Sequence, residues 1–91
     1  MNEDERFLRE RELERGNKAK AILESDLFNE SFDLLKADYI REWENSKLSE
    51  GPRRELLYNM VANLSDVKLH FQTVLETGKL ASHQLEHINE E

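Results

Sequence analysis

Only three glycines, Gly16, Gly51 and Gly78, and a single proline, Pro52, punctuate these 91 residues. No run of β-branched residues alternates with polar ones. A chain with so few turn-formers and no period-two pattern is expected to be all-α. The expected architecture is an antiparallel helical hairpin, with helices over about 26–45 and 52–77. A charged N-terminal helix precedes it, and a short C-terminal helix follows.

The hairpin is the clearest part of the pattern. Ser25 suits an N-cap and Asp26 suits the positive end of the helix dipole that follows. Phe28, Phe32, Leu35, Tyr39 and Trp43 then recur at 4, 3, 4 and 4, which makes one continuous apolar stripe. Residues 46–51 read as a loop, and Pro52 fits the first turn of the next helix, where its missing amide costs nothing. From there Leu57, Met60, Leu64, Val67, Phe71 and Val74 repeat at 3, 4, 3, 4 and 3, the a/d heptad spacing. Val61, Lys68 and Leu75 fall at e. Gly78 is expected to end this helix as a left-handed C′ residue. Leu80, Ala81, Leu85 and Ile88 then supply the last short helix within 79–91.

The first 18 residues mix acids with arginines and hold few apolar side chains, so they read as a charged, mobile arm unless they dock on something. Glu5 with Arg9 and Glu12 with Arg15 have helical ion-pair spacing. One domain is expected: this arm, a core over 19–78 and the tail.

A chain this short buries only about 60–65% of its unfolded surface, so its core needs reinforcement. No cysteine is present, which excludes disulfides, thiolate metal sites and a cysteine nucleophile. Self-association is the remaining expectation, because the apolar stripes are wider than two helices can cover. The residues expected at such interfaces are Trp43, Leu57, Met60, Leu64, Val67, Leu69, Phe71 and Val74. No apolar run is long enough to span a membrane, and the charged start does not read as a signal peptide, so an intracellular chain is expected. With 20 acids against 13 bases the net charge is -7, which argues against direct nucleic-acid binding.

Few residues invite a catalytic reading. His83-Gln84-Leu85-Glu86-His87 has the H-x-x-E-H order of a zinc-peptidase group, and i,i+4 histidines on a helix can share a metal. A third ligand would have to come from Glu90 or Glu91, and two solvated histidines is the expectation. His70 reads as the rim of a helix interface, with Ser65 and Ser82 too weakly fixed to serve as its nucleophile. Arg53 and Arg54 read as solvated surface charges. No catalytic residue, metal ligand or cofactor is therefore expected, nor enzyme activity.

AKAILESDLFNESF over Ala19–Phe32, then Tyr39-Ile40-Arg41-Glu42-Trp43 and Glu76-Thr77-Gly78-Lys79-Leu80-Ala81, resembles short helical proteins encoded among tailed-phage head and DNA-packaging genes. The resemblance spans roughly residues 19–85 and rests on caps and core positions. It implies a role in virion assembly or packaging, or as a minor virion component, located in the infected host's cytoplasm or in the virion. The partners expected are further copies of this chain and a phage structural, packaging or host protein. The alternative is a small acidic inhibitor of a host nuclease or defence protein, since residues 25–50 carry seven acids and three bases.

Overall fold

The computed structural model describes the backbone of residues 1–90 and the side chains of residues 1–87, so Ile88, Glu90 and Glu91 lie outside the described side chains. The fold is all-α: α1 Glu3–Leu23, α2 Asp26–Asn45 and α3 Gly51–Glu90. No helix is long and apolar enough to cross a membrane.

Local chemistry sets most helix ends. The Asn2 side chain accepts from the Glu5 amide at 2.8 Å, capping α1. Ser25 caps α2 as its spacing predicts, its Oγ accepting from the Phe28 amide at 3.3 Å. Asn29 Nδ2 also donates to the Ser25 carbonyl at 3.0 Å. α3 begins one residue before Pro52 and does not stop at Gly78. No described glycine has positive φ, so Gly78 is not a C′ residue and the separate C-terminal helix does not exist. Lys79, Leu80 and Ala81 are good helix formers, and glycine's interior penalty of about 1 kcal/mol is too small to break the helix between them. Residues 3–18 are regular helix within α1, the charged N-terminal helix that was expected.

Contacts gather the chain into two compact units. One consists of Met1–Glu24 and the part of α3 from His70 onward. Its centre is a contact between two backbones: an ideal Cβ on Gly16 would lie 2.8 Å from the Gly78 Cα, and the reverse holds too. Ala19 and Ala81 are the other buried residues there. Glycine at both positions lets the helix backbones approach where any side chain would hold them apart.

The other unit is Ser25–Leu69, the expected antiparallel hairpin. The Lys68 ammonium sits 5.5 Å from the Phe32 ring centroid, and Arg53 reaches Glu42 at 3.8 Å. These pairings put the end of one helix against the start of the other. The Phe28 and Phe32 rings meet at 4.5 Å between centroids, their planes tilted by 42°. Along α3 of the hairpin Leu57 is buried and Met60, Val61, Leu64 and Lys68 are half-buried, whereas Val67 is 45% exposed. The seam therefore follows the a positions widened to e, as the sequence pattern indicates, with d covered at Met60 and open at Val67. Lys68 joins it with its charge over Phe32. Phe71 and Val74 are half-buried and belong to the other unit.

Candidate interaction surface

The candidate functional feature is built from side chains that the helices hold outward. In the hairpin, Leu57 at 4% exposure is the only buried side chain. Leu27, Leu34, Leu56, Tyr58 and Leu69 are exposed on the same two helices, and Leu48 in the loop is more exposed still. Of the expected interface residues, Val67 and Leu69 are open to solvent, while Met60, Leu64, Phe71 and Val74 are partly covered within their own units. Leu57 is an internal core residue of the hairpin, buried against its own chain.

Trp43 has a local role. The Arg54 guanidinium lies 4.4 Å from its ring centroid, and Arg54 Nη1 donates to the Trp43 carbonyl at 3.1 Å, the Ser46 carbonyl at 3.3 Å and Ser46 Oγ at 2.6 Å. Arg54 thus adds a charged donor to the Trp43 carbonyl, which also accepts from the Ser46 amide and hydroxyl, and pairs the Ser46 carbonyl just beyond the end of α2. The expectation of a solvated Arg54 is corrected: it clasps the hairpin loop. Sequence reading missed this because Trp43 and Arg54 lie eleven residues apart, and only the loop brings them together. Trp43 remains 41% exposed on its other side. Arg53 binds Glu42 and also Glu50, the latter at 3.6 Å.

The flanks of the α1–α3 contact differ in chemistry. On one side Leu8, Arg11 and Arg15 face Thr73, Val74 and Thr77 across an open groove that Arg9 and Glu12 also line. Arg9 is bound to Glu12 at 2.6 Å rather than to Glu5. Arg11 and Arg15 make no ion pair with a described residue, so the expected Glu12–Arg15 pair does not form. The other flank is lined by Leu13, Asn17, Lys20 and Leu23 against Leu75, Lys79 and Ser82.

The histidines are placed apart from these features. His83 Nδ1 lies 3.9 Å from Glu86 Oε2, both strongly exposed. Among the described residues no three His, Cys, Asp or Glu side chains gather in a way that could hold a metal. His70 is exposed and meets the Phe71 ring edge at 6.0 Å.

The chain matches no family model, no curated protein and no solved structure.

Proposed function

We propose that this protein works without catalysis, as a self-associating helical protein in phage virion assembly or DNA packaging, through protein–protein contacts. One observation carries the association: neither unit closes a core of its own. Among the described residues the α1–α3 unit buries nothing larger than alanine, and the hairpin buries only Leu57. The phage setting rests on the resemblance over residues 19–85.

Light scattering on the purified protein at micromolar concentration tests the reading. A discrete oligomer is the expected result, and a stably folded monomer overturns it. A second reading, an acidic inhibitor of a host defence protein, is favoured by the carboxylates of Asp26, Glu30 and Asp33 on α2, which make no ion pair with a described residue. It predicts a monomer that captures a basic host protein at low salt and releases it at high salt.

A further inference from the structure

The groove beside Arg11 and Arg15 and the outer face of α2 are complementary in charge, and each carries apolar side chains. On α2, Leu27, Glu30 and Leu34 recur at three and four and therefore share one stripe, with Asp26 and Asp33 beside it. Leu27 is 73% and Leu34 66% exposed, so no described residue covers that stripe. Asp26, Glu30 and Asp33 make no ion pair with a described residue, in contrast to Asp38 with Arg41 and Glu42 with Arg53. The groove offers the reverse: Leu8 and Val74 for apolar contact, rimmed by two arginines without acidic partners. An amphipathic helix laid into a groove, apolar residues a turn or two apart and charges at the rim, is a recurrent mode of recognition.

We propose that the α1–α3 groove of one copy receives α2 of a second copy, with Leu27 and Leu34 against Leu8 and Val74, and Glu30 and Asp33 facing Arg11 and Arg15. This deepens the self-association reading and rests on it. A second copy is the favoured occupant because it carries both halves of the match. Arginine suits the rim because its fork binds carboxylates in a fixed geometry, and opposed charges there set the pairing register.

Charge exchange tests the assignment. One variant carries Arg11→Glu and Arg15→Glu; the other carries Glu30→Arg and Asp33→Arg. Each alone sets like charges against each other, and sedimentation velocity should show association at least tenfold weaker than in the wild type. An equimolar mixture restores opposite charges at both contacts, and mixed oligomers should return at close to wild-type concentration. All four positions lie outside the two packed centres, and the helical circular dichroism of each variant should match the wild type. The milder pair Arg11→Gln and Arg15→Gln gives an independent readout, with weaker association that cannot be rescued by the second variant. Wild-type protein that oligomerises with reversal variants that do so equally well overturns the groove assignment alone. Reversal variants that stay apart when mixed overturn it as well. A folded wild-type monomer overturns the groove and the self-association reading together.

Discussion

A glycine inside a helix ordinarily weakens it, and Gly16 and Gly78 each do so by about 1 kcal/mol relative to alanine. Both stand where the backbones of α1 and α3 meet. A Cβ on either would sit 2.8 Å from the other's Cα, a backbone atom that cannot swing aside as a side-chain tip would. The added methyl must push the helices apart, and overpacking of this kind typically costs about 1–3 kcal/mol. Gly51 has nothing within 4 Å of its ideal Cβ and provides the control. Gly16→Ala and Gly78→Ala should therefore each lower the urea midpoint, against the direction of helix propensity, while Gly51→Ala leaves it unchanged or slightly raised. Urea titration followed by circular dichroism checks both signs. Equal behaviour of all three variants would mean that the close contact carries no weight.

At the scale of the helices, much of the fold was readable and the exceptions share a cause. The scarcity of breakers, the Ser25 cap and the stripe on α2 are local features, and each appears in the fold where its spacing puts it. Gly78 misled because a glycine after an apolar repeat looks the same whether it ends a helix or admits a neighbouring backbone. Only Gly16, sixty-two positions away, distinguishes the two. The widened α3 stripe was readable, with Val61 and Lys68 at e beside the a/d positions. Which d residues are covered, Met60 but not Val67, depends on where α2 lies, and periodicity does not give that. Likewise the interface candidates divide by burial, Leu57 facing inward and Val67 and Leu69 outward, which periodicity alone did not separate. This seam makes a prediction. Leu57→Ala should cost about 2–4 kcal/mol, as for a buried leucine. Val67→Ala, at 45% exposure, should cost under about 0.5 kcal/mol in a monomeric reference condition such as dilute protein. Should the two be equally damaging in dilute urea melts, the a/d seam would be the correct one.

For the whole molecule, the balance of terms ties folding to concentration. Fully burying a leucine contributes about 1.5–3 kcal/mol, and ordering each residue costs on the order of 1–2 kcal/mol of backbone entropy. One buried leucine and two buried alanines among the described residues leave these helices dependent on partial burial, caps such as Asn2 and Ser25, and surface ion pairs. The ion pairs are mostly exposed, at separations between 2.6 and 4.0 Å, and such pairs are worth about 0–1 kcal/mol each. Any surface that another copy covers therefore adds a term comparable with the stability of the isolated chain, and linkage converts it into a dependence on protein concentration. Raising the concentration a hundredfold should raise Tm by roughly 5 °C or more, taking the usual sensitivity of a small domain to each kcal/mol. The measurement is a reversible melt at 222 nm from micromolar to hundreds of micromolar protein. A Tm that stays fixed over that range would show that each chain stabilises itself, and the exposed leucines of α2 and α3 would then need an occupant other than this chain.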